Sequence, residues 1–224
     1  MLLGGLGRRA RTHGPAIVAA ISVVMGAAAP AAAADPPSHF RLLLHGFADV
    51  PDAHGFGLGG WVVAPDVSTA PGKWLGIVGP RYAQPTWNIE LMGGAYVSDL
   101  EGTSVVDSRA ELTALMPFYA WANVEYIDLF AGARSQFYAY AQADFAVARR
   151  GATLALVGVE TEDLWGGGID DVSVGPHLFV PLGPLVLQVA YQRHHGAPDA
   201  LWLRALFTAQ PPAGDAAATP RTKS

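Results

Sequence analysis

From Val105 to Met116 the chain reads Val-Val-Asp-Ser-Arg-Ala-Glu-Leu-Thr-Ala-Leu-Met, and every second residue belongs to a different chemistry. Val106, Ser108, Ala110, Leu112, Ala114 and Met116 are small or apolar. Val105, Asp107, Arg109, Glu111, Thr113 and Leu115 carry both signs of charge at their centre. Strand side chains alternate between two faces, so this period predicts a two-faced β-strand. The same period recurs in Phe40–Val50, Trp87–Ser98, Tyr119–Phe130, Phe137–Ala148, Leu185–His194 and Leu201–Ala209. Gly55–Ala64, Trp74–Pro80, Ala152–Thr161 and Val172–Leu182 are further strand candidates, which makes eleven, and Trp74–Pro80 is the weakest of them. Gly, Pro, Asp and Asn punctuate the series. Gly183-Pro184 marks a hairpin and Arg149-Arg150-Gly151 a tight turn, while Asp163–Asp170, with Gly166-Gly167-Gly168, is expected as a loop. Apolar residues recur at two rather than at three and four, so helix is disfavoured even in the Ala-rich segments.

The first 34 residues have a different character. Arg8, Arg9 and Arg11 precede an apolar stretch from Ala16 to Ala29, and Ala31–Ala34 then meets Asp35. A positive region, an apolar core and a small-residue site in this order predict a cleaved secretory signal peptide over 1–34. The apolar core, about 14 residues, is shorter than the roughly 20 that a spanning helix needs. Its removal would leave 11 basic and 19 acidic residues in the mature chain. Residues 35–209 are expected to form one β domain, and 210–224, rich in Pro, Ala and Thr, a disordered tail.

Composition bears on which way the faces point. Charged residues are 15 % of the chain and hydrophobic residues 51 %. A water-facing surface wants about 25–35 % charge, so this chain is short of residues to solvate the outside of a soluble barrel. Lys occurs only at 73 and 223, and the polar faces pair Arg with Asp and Glu. That suits an enclosed network, because the planar guanidinium pairs carboxylates bidentately. Trp61, Trp87, Phe118, Tyr119, Phe137 and Trp202, near segment ends, are candidates for interfacial girdles.

On this pattern of strands, leader and faces, Phe40 to about Ala209 resembles the bacterial outer-membrane β-barrel proteins as a class. The resemblance implies an all-β fold, a closed antiparallel up-and-down transmembrane β-barrel. Even strand numbers in such barrels favour ten strands, with Trp74–Pro80 assigned to a loop and eight or twelve as alternatives. It further implies location in the Gram-negative outer membrane, with membrane lipid and the barrel assembly machinery as partners. The expected role is structural or surface-exposed, or that of a narrow porin-like passage for small solutes. The alternative is a soluble periplasmic binding barrel of lipocalin-like or avidin-like shape, apolar inside. A membrane-embedded barrel hydrolase is a third and weaker reading.

The candidate chemistry is the polar face: Glu90, Arg109, Glu111, Glu125, Asp144 and Arg204 are expected to form a lumen charge network. No catalytic residue, metal or cofactor is expected. The chain has no Cys, which excludes disulfides and thiolate chemistry. A formal charge of -5 without Lys/Arg clusters argues against nucleic acid. Ser173 and His177 share a parity but stand about 13 Å apart along a strand, too far for a nucleophile and its base. Gly166–Gly168 lacks the Lys-Ser/Thr of a phosphate loop. His194-His195 reads as loop histidines, His45 as a lumen hydrogen-bond partner, and Glu160, Glu162, Asp163, Asp170 and Asp171 as solvated loop acids.

Overall fold

A computed structural model describes residues 36–98, 101–112, 118–128, 134–150 and 152–209; the expected signal peptide and C-terminal tail lie outside them. The described residues form eleven strands: β1 (Ser38–Asp49), β2 (Phe56–Ala64), β3 (Trp74–Gln84), β4 (Trp87–Ser98), β5 (Glu101–Leu112), β6 (Phe118–Ile127), β7 (Gln136–Arg150), β8 (Ala152–Gly166), β9 (Ile169–Leu182), β10 (Leu185–His194) and β11 (Ala200–Ala209). Each pairs antiparallel with its chain neighbours, and β1 closes the barrel by pairing parallel with β11, from Ser38↔Leu201 to Gly46↔Ala209. Closure leaves no sheet edge to template aggregation.

The expected count of ten is corrected to eleven, because the segment set aside as a loop is β3. β3 carries Gly76, Gly79 and Pro80, and its pairing to β4 skips from Val78↔Gly93 to Arg81↔Glu90. Pro80 has no N–H to give a ladder, so the strand signal is weakest where the ladder is interrupted. With an odd count the sheet is not antiparallel throughout. The chain enters β1 at one rim, near Ser38, and leaves β11 at the opposite rim, near Ala209.

The expected loop at Asp163–Asp170 shrinks to a two-residue turn, since pairing of β8 with β9 runs out to Gly166↔Ile169. Gly166, Gly167 and Gly168 all have positive φ (91°, 59° and 87°), conformations that glycine adopts at no steric cost. The Gly183-Pro184 hairpin forms as expected, with Gly183 at φ 71° between Leu182 and Leu185.

Burial alternates along much of β2–β5 and β9, and in β5 Val105, Asp107 and Arg109 are buried while Val106, Ser108 and Ala110 are exposed. An apolar cluster of Trp61, Val63, Leu75, Ile77, Met92 and Val105 lines the inside of β2–β5. Elsewhere the interior mixes charged side chains with buried amides such as Asn123, Gln142, Gln188 and Gln192.

Candidate functional site

The strand period puts all six expected charge-network residues inside the barrel, but it distributes them over several clusters instead of one ring. On β5 and β6, Arg109 donates from Nε to Asp107 Oδ1 at 3.0 Å and from Nη2 to Oδ2 at 3.0 Å. Glu125 stands 3.5 Å from Arg109 Nη2, and Asn123 Nδ2 donates to Asp107 at 2.7 Å. The Arg109 guanidinium lies 4.1 Å above the centre of the Trp61 ring.

Glu90 belongs to a second cluster. It accepts from Trp61 Nε1 at 2.7 Å, meets His45 Nε2 at 3.0 Å and stands 3.5 Å from Arg81 Nε. Gly59 faces it, and a Cβ there would overlap the Glu90 carboxylate. Glu111 accepts from Asn88 Nδ2 at 2.6 Å.

The third cluster surrounds the closing seam and draws on residues the sequence did not single out as a site. Arg204 donates through Nη1 to Glu160 at 2.7 and 2.9 Å and through Nη2 to Glu162 at 2.8 Å. Arg41 Nη2 donates to the other Glu162 oxygen at 2.6 Å. Gln188 and Gln192 donate to Glu160 at 2.6 and 2.7 Å. His177, with no exposed surface, sits between Asp144, with which it shares a short hydrogen bond, and Glu160 Oε2 at 3.2 Å. Glu160 and Glu162 were expected as solvated loop acids; Glu160 is instead 2 % exposed and clamped from four strands.

Among the described residues the carboxylates Glu90, Asp107, Glu111, Glu125, Asp144, Glu160 and Glu162 and the guanidiniums Arg41, Arg81, Arg109 and Arg204 face inward, and Asp128, Asp163, Asp171, Lys73 and Arg134 also line the larger cavity. Burying an ion is costly unless it is paired and hydrogen-bonded, and each of the inward-facing carboxylates and guanidiniums has a polar partner. The clusters leave two cavities. One, of about 340 Å³, lies toward the Ala209 rim beside Trp121, Tyr119, Gln84 and Thr208; the other, of about 850 Å³, lies toward the Ser38 rim beside Pro65, Leu75, Gln136 and Trp202. Arg41, Val63, Glu125 and Tyr138 belong to both walls, so side chains, not backbone, form the partition there.

Of the six aromatics expected at interfaces, Trp61, Tyr119 and Trp202 face inward. Trp61 is held by Glu90, Tyr119 lines the smaller cavity and Trp202 the larger. Trp87 and Phe137 are exposed, and Phe118 packs on the exposed Phe145 at 5.4 Å. Phe56 and Tyr82 extend the outer group at the Ala209 rim, and Trp165 stacks near Phe137 at the Ser38 rim.

At the Ser38 rim the β2–β3 connection is tied to β1. Val67 N donates to Phe40 O at 2.7 Å, and His39 Nδ1 meets Asp66 at 2.6 Å. Burial alone would push the Asp66 carboxyl up; hydrogen bonds from Ser68, Thr69 and His39 outweigh it and hold the group well below the ordinary carboxylate range. A depressed carboxyl contributes stability that is fully present above its unfolded value, about 3.9, and is lost only as pH falls through the lower folded value. Amides of Val67–Thr69 are therefore expected to keep their hydrogen-exchange protection from about pH 7 to about pH 5, and Asp66→Asn to lower it at both. Loss of wild-type protection within that window would show that the clamp does not depend on the ionised carboxylate.

Comparison with protein-family models, with curated proteins and with solved structures finds no match, and the chain is assigned to no family.

Proposed function

We propose that this chain is an integral outer-membrane β-barrel protein, exported on a cleaved leader, whose lumen is a narrow passage for small solutes. The observation that carries this reading is the inverted burial: Leu91, Phe145 and Val159 are 57–58 % exposed on the outside, while Asp107, Asp144 and His177 have no exposed surface inside. In water an apolar belt of this extent is an aggregation hazard. In hydrocarbon it is the solvent-matched face, and every backbone group of a closed barrel finds its partner within the sheet. A lipocalin-like barrel needs the opposite arrangement, an apolar cavity under a charged exterior. Strands of 9–15 residues are long enough for the roughly 9–11 that a tilted transmembrane strand requires. Outer aromatics gather near both rims, where interfacial girdles belong. On this reading the partners are outer-membrane lipid and the assembly machinery, and the solutes are small because side chains partition the lumen between its two cavities. The class resemblance, the leader and the composition support the compartment.

Expression of the full chain with its leader tests the proposal. The expected result is recovery in the detergent-extracted outer-membrane fraction and a mobility shift between unboiled and boiled gel samples, because a closed barrel stays folded until heated. A mature chain found soluble in the periplasmic fraction, with no shift, would overturn it.

A further inference from the structure

Resting on that membrane reading, we propose that the two lumen cavities are halves of a single cation-preferring conduit and that Arg41 is the residue that closes it. One cavity lies toward each rim, and the walls they share are Arg41, Val63, Glu125 and Tyr138. These come from β1, β2, β6 and β7, strands of the barrel wall. Arg41 is the longest side chain of the four and the one fixed most firmly: its Nε donates to Pro65 O at 3.0 Å, its Nη1 to the Tyr138 hydroxyl at 3.3 Å and its Nη2 to Glu162 at 2.6 Å. Its guanidinium also lies 4.6 Å over the Trp202 ring. Glu125 stands 3.4 Å from Asn123 Nδ2 and 3.5 Å from Arg109 Nη2 and shares a hydrogen bond with Asp107, its register partner. The shared wall therefore carries one well-anchored cation, inside a lumen whose acidic side chains outnumber its basic ones among the described residues. A ring of net negative charge favours cations, and the guanidinium in the shared wall both narrows the path and opposes them. The ligand class is a small hydrated cation.

Purified full-length protein in planar phospholipid bilayers under a potassium chloride gradient tests this, with the boiled/unboiled gel shift confirming that each variant is a closed barrel. Wild type is expected to pass a small current with a reversal potential on the cation side. Arg41→Ala is expected to raise conductance several-fold and move the reversal potential further toward potassium. Val63→Trp, which touches no ion pair, is expected to reduce the current and guards against an Arg41 variant that fails to fold. The inference is overturned if the protein inserts and gel-shifts yet neither wild type nor Arg41→Ala carries current. It is equally overturned if both closed variants conduct as wild type does. A chain that never enters membranes, by contrast, overturns the reading beneath it.

Discussion

Glu162→Ala is expected to destabilise the barrel by about 3–5 kcal/mol, the range for removing one partner of a buried ionic group. The reason is the position of the two arginines it serves. Arg41 on β1 and Arg204 on β11 are register partners across the one parallel seam of the barrel, both facing inward. Parallel ladders are slightly weaker per residue than antiparallel ones, and like charges directly opposite each other destabilise a strand pair. Glu162, reaching across from β8, gives one carboxylate oxygen to each guanidinium, at 2.6 and 2.8 Å. The same group accepts from Tyr138 at 3.0 Å and Gln192 at 3.1 Å. Both guanidiniums lie over the Trp202 ring, at 4.6 and 5.4 Å, so the repulsion is held at short range once the carboxylate is gone. Arg204 keeps Glu160, whereas Arg41 loses its only carboxylate partner among the described residues, so the loss falls mainly on β1. The measurement is the urea midpoint of the heat-shifting gel band. Glu162→Gln, which keeps the volume and one acceptor, is expected to fall between wild type and Glu162→Ala. A Glu162→Ala midpoint equal to wild type would mean that the seam is held by its backbone ladder alone.

What the sequence made legible was the parity of each strand. In β4 the set Trp87, Ile89, Leu91, Ala95, Val97 faces out and Asn88, Glu90, Met92, Tyr96 faces in, because a period of two needs only neighbours along one strand. The strand count was also legible locally: eleven segments were visible, and the even-number rule for the class removed a real one. That rule applies when a barrel closes with an antiparallel pair. Here β1 runs parallel to β11, and nothing within any single segment announces how the ends will meet.

Partnership across the lumen was not legible. Glu162 meets Arg41 over a separation of 121 residues and Arg204 over 42, and no spacing encodes such pairs. Glu160 and Glu162 sat beside three glycines and read as rim acids. A signal was present all the same: they alternate with Val157, Val159 and Thr161, so their parity placed them opposite the apolar set. Asp107 carried the same signal, lying between Val105 and Arg109 on the polar face of β5. Local acidity outweighed period in the first case, and period was the better guide.

Val159→Arg separates a lipid-facing exterior from a water-facing one. Val159 is 58 % exposed at the centre of β8, and its outward register neighbours are Ala143 and Pro176. Neither offers a carboxylate, and the residue is seven positions from either end of its strand, so an introduced guanidinium has little scope to reach a rim. On the outside of a barrel in a bilayer, an Arg near the midplane costs about 2–4 kcal/mol. In water, an exposed Val→Arg change stays within about 0.5 kcal/mol. The expected result is a large drop in the urea midpoint for protein folded into phospholipid vesicles, with Val159→Thr close to wild type because it adds no charge. Moving the same substitution toward a rim, at Val172 on β9, is expected to cost less, since the penalty falls toward the interface. If Val159→Arg unfolds at the wild-type midpoint in vesicles, the belt around β8 does not face hydrocarbon. The inverted burial would then have to be satisfied by another covering surface.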